Sequence, residues 1–187
     1  MRIAIDGMGG DYAPAEVIAG AVEWIKKSDD QILLVGKNDV IAQILQNFTY
    51  PAERIKIISA PQVIEMEESP AVAMRRKKDA SIVVATRLVK EGQADAVLSC
   101  GNTGAQMAAA LFILGRFENI DRPAIVAAIP NRQGSHSFLV DVGANVDCKP
   151  KQLLQFALLG NAYATIDLDI NEPRVALLNN GEEESKG

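Results

Sequence analysis

ADAVLSCGNTGAQMAAALFILG, running from Ala94 to Gly115, is the stretch on which the reading of the fold turns. Its apolar run Ala96-Val97-Leu98-Ser99 has strand character and stops at Cys100-Gly101-Asn102-Thr103-Gly104. An almost wholly apolar helical run, expected to be buried, then continues to Gly115. A strand, a small polar turn and a helix make the arrangement in which backbone N–H groups at a helix start point at an anion. Gly101 and Gly104 leave bare backbone for a phosphate to lie against, and Asn102 and Thr103 can each add side-chain hydrogen bonds. The same residues equally fit an ordinary βα turn in which Asn102 or Thr103 caps the helix. Spacing alone leaves both readings open.

The chain of 187 residues is long enough for one substantial domain. With 48% apolar, 23% charged and 5% aromatic residues, its composition is that of a soluble globular protein. The longest apolar stretch, Met107 to Gly115, is too short to cross a bilayer, and no charged-then-apolar leader opens the sequence. A cytoplasmic protein is therefore expected. Cys100 and Cys148 have no metal-like spacing, which suits a reducing compartment. The lone histidine, His136, leaves a zinc cluster or a Ser-His-Asp arrangement little to draw on, and is expected in a loop. A net charge of −5 argues against a broad nucleic-acid-binding surface.

Outward from the opening stretch, strands and helices alternate. Arg2 to Asp6 reads as a first buried strand ending in the turn Gly7-Met8-Gly9-Gly10-Asp11. That turn lacks the third glycine of a dinucleotide fingerprint, which disfavours a nicotinamide-dependent oxidoreductase. Pro14 suits the first turn of a helix carrying Val17, Ile18, Ala21, Val22 and Ile25. Gln31 to Gly36 and Arg54 to Ser59 follow as strands, with a helix between them that Asn38 or Asp39 can cap. Consecutive Ile32-Leu33-Leu34-Val35 suits a strand covered on both faces, and the alternation predicts a parallel sheet flanked by helices.

A longer acidic connection with Glu65, Glu67 and Glu68 leads to a short helix from Pro70 that ends in Arg75-Arg76-Lys77-Lys78. Acids before a helix and bases at its end suit the macrodipole; the same bases could also dock an acidic partner. Asp79 to Gly92 is an amphipathic helix. Beyond Gly115, strands are expected at Ile125 to Ile129, Phe138 to Val142 and Arg174 to Leu178, with a helix from Pro150. Loops of small or polar residues after Ser99, Val142 and Leu178 would then gather along the carboxyl edge of an open parallel sheet, where ligands bind.

Six motifs, DGMGGDYAP from Asp6, ESPAVAMRRKKDAS from Glu68, SCGNTGA from Ser99, GRFENIDRPA from Gly115, DVGANVDCKP from Asp141 and LLNNGEEESKG from Leu177, carry a resemblance. In this order, across essentially the whole chain, they resemble the PlsX family of acyl-acyl carrier protein:phosphate acyltransferases. The resemblance implies a three-layer αβα fold with a mostly parallel sheet, like that of phosphotransacetylases and isocitrate/isopropylmalate dehydrogenases. Residues 1–187 would form a single α/β domain, the N-terminal portion of a longer architecture. The implied reaction moves a fatty acyl group from acyl carrier protein to inorganic phosphate, giving acyl phosphate for phospholipid synthesis without metal or organic cofactor. A homodimer is implied, as is peripheral association with the membrane glycerol-3-phosphate acyltransferase.

Carried onto this sequence, the family motifs place phosphate at Gly101, Asn102, Thr103 and Gly104. Lys186, Asn102 and Asn145 are the expected catalytic residues, with Asp6, Gly9, Gly10, Asp11, Asp141 and Gly143 in support. Arg75, Arg76, Lys77 and Lys78 are the expected patch for the acidic carrier protein. Cys100 stands where the family is expected to carry alanine, and is read as a small buried residue rather than an acylated nucleophile. The rival readings are a phosphotransacetylase acting on acyl-coenzyme A and a non-catalytic phosphate-binding or dimerisation module.

Overall fold

The computed structural model describes residues 1–132, 134–143, 145 and 147–179. The chain divides into two compact units, Met1–Gly115 and Arg116–Gly187. In the first, β1 (Arg2–Asp6), α1 (Ala15–Ile25), β2 (Gln31–Gly36), α2 (Asn38–Leu45) and β3 (Ile55–Ser59) alternate. After the acidic connection come α3 (Pro70–Arg76), α4 (Ser81–Lys90), β4 (Ala96–Leu98) and α5 (Thr103–Ala109), the last continuing as a wider helical turn over Ala110–Leu114. The four strands form one parallel sheet in the order β3-β2-β1-β4.

The sheet is covered on both faces, as its continuous apolar strands require. Ile5, Ile32 and Leu34 point to one face and pack with Ile18, Val22 and Ile25 of α1 and Ile41 and Leu45 of α2. Ala4 and Val35 point to the other and pack with Ala85 and Leu88 of α4. On that side Ala73 of α3, Ile82 and Val83 of α4, and Ala105 and Ala109 of α5 form a further cluster. Helix, sheet and helix make three layers, the expected fold class. The direction of growth reverses at β1: β2 and β3 are added on one side, then β4 on the other. Between β1 and β4 lies the switch point, where open α/β sheets bind ligands.

Two local expectations are corrected here. Lys37, not Asn38 or Asp39, occupies the cap position of α2, and no side chain caps that helix. The apolar run from Thr103 is not a buried helix: Ala105 and Ala109 are buried, whereas Phe112 is 70% exposed. Small residues let one stripe approach α3 and α4 closely, and the bulkier residues fall on the opposite side.

In the second unit β5 (Val126–Pro130) and β6 (His136–Val140) pair antiparallel, and α6 (Pro150–Leu168) follows. The ring of Phe138 on β6 meets Tyr163 on α6 edge-on, with centroids 4.8 Å apart. Strands at Ile125 to Ile129 and Phe138 to Val142 were expected to join the parallel sheet, but they form their own two-stranded ribbon. The connection from Pro130 to His136 is too short for a parallel crossover and closes a hairpin instead. His136 accordingly begins a strand rather than lying in a loop. The strand expected over Arg174 to Leu178 is absent: these residues have no regular structure, and Val175, Leu177 and Leu178 are exposed. Among the described residues no neighbouring strand pairs with them, and an unpaired strand does not persist. No helix among the described residues is long and apolar enough to cross a membrane.

At its amino end the β1–β4 pair is closed by Arg2, whose guanidinium and backbone N–H both donate to Asp95 at 2.7 Å. These contacts, the guanidinium first, hold the Asp95 carboxyl below the usual carboxylate range. A depressed carboxyl contributes stability above its unfolded value and loses it as pH falls through the folded one. Asp95→Asn is expected to flatten the acid limb of the unfolding midpoint below about pH 4, while changing neutral-pH stability little. Leu34→Ala, in the fully buried layer, is expected to cost about 2–5 kcal/mol in denaturant unfolding.

Candidate functional site

At the carboxyl ends of β1 and β4 two glycine-rich turns, Gly7–Asp11 and Cys100–Gly104, lie against each other. Asp6 is 3% exposed. Its Oδ1 accepts from the Met8 N–H at 3.2 Å and its Oδ2 from the Ser99 hydroxyl at 2.8 Å. Ser99 Oγ in turn accepts from the Gly101 N–H at 3.0 Å. Beyond the strand ladder, the Asp6–Ser99 bond is the only hydrogen bond among the described residues that joins the two turns. The packing leaves no room for side chains. A Cβ at Gly9 would collide with the Asp6 carboxylate, and one at Gly10 (φ 128°) would sit 3.2 Å from Cys100.

Asn102 resolves the ambiguity between cap and ligand donor. Its Oδ1 accepts from the Ala105 N–H at 3.0 Å, which makes it the N-cap of α5. Its Nδ2 reaches the carbonyls of Glu65, Met66 and Glu68 at 3.3, 2.9 and 3.1 Å. The side chain thus pins the acidic connection to the turn, and its donors are already engaged. The N–H groups of Thr103 and Gly104 meet no protein acceptor among the described residues. Gly104 is also required for close approach, since a Cβ there would sit 2.6 Å from Pro70 Cγ. What the turn offers an anion is therefore backbone.

The acidic connection is tied a second time. Lys77 Nζ donates to the Val63 carbonyl at 2.6 Å and pairs with the Glu68 carboxylate. Lys77, followed by the Glu65 N–H, holds the Glu68 carboxyl below its ordinary range. Of the expected carrier patch, Arg75, Arg76 and Lys78 are exposed, while Lys77 is turned into the connection.

In the second unit Asp141, at φ 68°, organises its own turn. Its Oδ1 accepts from Asn145 Nδ2 at 2.9 Å and from the Asn145 N–H at 3.2 Å. Asn145 Nδ2 also donates to the Pro123 carbonyl at 3.1 Å, and the Gly143 N–H to the Asp141 carbonyl at 2.9 Å. Cys148 Sγ lies 3.4 Å from Asp141 Oδ2. Burial, then Asp141, pushes that thiol up. Lys186 lies outside the described residues.

Sequence reasoning missed Ser99, read only as the end of a strand; its spacing from the SCGNTG glycines was the available signal. The expectation for Cys100 is corrected: it is exposed, not buried. Gly10 packs against the Cβ and carbonyl of Cys100 from one side. Among the described residues no cluster of metal-ligating side chains occurs.

The chain matches the family model described as fatty acid synthesis protein over residues 1–187. It is 64% identical over 188 residues to the phosphate acyltransferase of Syntrophomonas wolfei, covering all of this chain and 59% of that protein. It is 56% identical to the phosphate acyltransferase of Desulfitobacterium hafniense strain DSM 10664, covering all of this chain and 55% of that protein. The chain thus spans little more than half the length of these relatives. In fold it is similar to a phosphotransacetylase from Streptococcus pyogenes, with a TM-score of 0.64 at 20% identity over 91% of this chain and 55% of that one. EutD phosphotransacetylase from Staphylococcus aureus gives a TM-score of 0.63 at 19% identity over 91% and 54%.

Two measurements probe this geometry. Asn102→Ala removes the α5 cap and the three carbonyl contacts; the cap alone is expected to cost about 0.5–2 kcal/mol in denaturant unfolding. The thiolate is the reacting form, so iodoacetamide near pH 8 is expected to label exposed Cys100 well before Cys148. Peptide mapping reads the order, and equal rates would contradict the assigned environments.

Proposed function

The chain belongs to the fatty acid synthesis protein family, and from that premise we propose that it forms the phosphate-binding part of an acyl-acyl carrier protein:phosphate acyltransferase. The observation that carries this reading is the pair of N–H groups on Thr103 and Gly104, without protein acceptors among the described residues, at the β1–β4 switch point. Phosphate is anionic at neutral pH and needs placement more than a base. The thiol leaving group, with a pKa of about 8.5, needs little help to depart. The remaining demand is the oxyanion of the tetrahedral intermediate, where each preorganised donor supplies about 3 kcal/mol.

In this reading the backbone from Gly101 to Gly104 cradles phosphate, and Asn102 contributes by fixing the turn rather than by donating to the ligand. Asp6, Gly9, Gly10 and Asp11 shape the facing turn. Lys186 supplies a compact positive charge to phosphate or oxyanion. Asn145, with Asp141 and Gly143, holds the turn that serves the thioester. Arg75, Arg76 and Lys78 attract the acidic carrier protein, and Lys77 anchors the helix that presents them. The full-length protein acts as a cytoplasmic homodimer and passes acyl phosphate to the membrane glycerol-3-phosphate acyltransferase. A second reading, phosphate binding without turnover, needs only the Thr103 and Gly104 N–H groups.

Incubating acyl-acyl carrier protein with phosphate and assaying hydroxylamine-reactive product tests both readings, with this chain beside a version extended past Gly187. The extended protein is expected to form acyl phosphate from the carrier-linked thioester far faster than from acyl-coenzyme A. Product from acyl-coenzyme A alone would point to a phosphotransacetylase. Phosphate binding by the shorter chain without product would support the second reading.

A further inference from the structure

We infer that the outward face of α3 docks an acidic helix carrying an apolar side chain between its carboxylates, with Val72 as the apolar contact and Arg87 as a further cation; this rests on the carrier reading above. Residues 70–90 hold six bases and one acid, in a chain whose net charge is −5. Positions three and four apart share a helix face, so Val72 stands between Arg75 and Arg76. The opposite face is already packed. Ala73 is 2% exposed in the cluster with α4 and α5, Pro70 lies against Gly104, and Lys77 donates to the Val63 carbonyl. Val72 is left outward, 48% exposed. A β-branched residue is a poor choice for an exposed helical position, so the helix itself does not call for it. Arg75, Arg76 and Lys78 are exposed, and none pairs with a carboxylate among the described residues. Arg87, exposed on α4, donates to the Lys78 carbonyl at 3.1 Å, which sets another guanidinium at the same place.

Bases without counter-ions around one apolar side chain fit a partner with the complementary pattern. Carboxylates meet the arginines, whose planar guanidinium accommodates them in pairs of hydrogen bonds, and an apolar side chain meets Val72. Charge supplies attraction and orientation at long range, which salt screens. The apolar contact supplies energy at short range, which salt does not screen. A nucleic acid or an anionic membrane spreads negative charge over a far wider area and would meet the acidic remainder of the chain. A phosphate backbone also has no counterpart for Val72. Val72 therefore distinguishes a helix of this pattern from a polyanion at large.

The test is titration calorimetry of holo acyl carrier protein into this chain at low and at moderate salt. The variants are Val72→Ala, Val72→Ile, Arg87→Glu and, on α1 across the sheet, the exposed Lys26→Glu as a control. Val72→Ala is expected to weaken binding about three- to tenfold at both salt concentrations, and Val72→Ile to retain it. Arg87→Glu is expected to weaken binding about tenfold at low salt, with the loss narrowing as salt rises. Lys26→Glu is expected to change affinity by less than about twofold; thermal melting confirms that the compared variants are folded. Val72→Ala that binds as the wild type does overturns the inference, while a carrier patch acting by charge alone stands. Equal losses in Lys26→Glu and Arg87→Glu would trace the effect to net charge and overturn it too. Tighter binding to vesicles of anionic phospholipid than to the carrier would assign the face to a membrane, with the same result. Wild-type protein that binds no carrier overturns both the inference and the carrier reading.

Discussion

The pairing of β1 with β4 is the constraint from which the rest of the first unit follows. Three residues of β4 are in register with β1, a short ladder for an edge strand. Side chains close it at both ends, Arg2 with Asp95 at the amino end and Asp6 with Ser99 at the carboxyl end. The first is exposed and adds modestly to stability at best. The second involves a buried carboxylate whose oxygens both have donors, where loss of one partner leaves a costly unsatisfied group. Because the strand order reverses at this pair, the same bond that holds β4 in the sheet also sets the spacing of the two glycine-rich turns.

Close packing at that point restricts composition. Gly9 and Gly104 are needed because Asp6 and Pro70 occupy the space a Cβ would fill. The backbone left bare is then fixed from the outside. Asn102 caps α5 with one end of its amide and holds three carbonyls of the acidic connection with the other. Lys77 ties the same connection to the end of α3. Turn, connection and basic helix thus form one hydrogen-bonded series, joined through Asn102 and Lys77. Preorganised donors of this kind cost no rearrangement when charge arrives.

Much of this was legible in the residues. Ile32 to Val35 and the amphipathic α4 announce a covered parallel strand and its helix, because burial on both faces leaves so few sequence patterns open. The turn at Cys100–Gly104 is equally plain from its small residues between two apolar runs. Less was legible where partners decide the outcome. Phe138 to Val140 reads as any buried strand, and only the short connection from Pro130 tells that it folds back antiparallel. Val175 to Leu178 has strand propensity but no neighbour to pair with among the described residues. The commitment of the Asn102 amide could not be read either, since the carbonyls it holds lie more than 30 residues away in the chain. The partner of Ser99 was hidden for the same reason, Asp6 being 93 residues distant.

The central claim is that inorganic phosphate is held by the backbone of the turn at the β1–β4 switch point. Titrating phosphate into the isotope-labelled chain and following every backbone amide by nuclear magnetic resonance tests it most directly. Saturable shifts that are largest at the Thr103 and Gly104 amides are the predicted result. Saturation with the largest shifts elsewhere, or no saturable change at those two amides, would contradict the account.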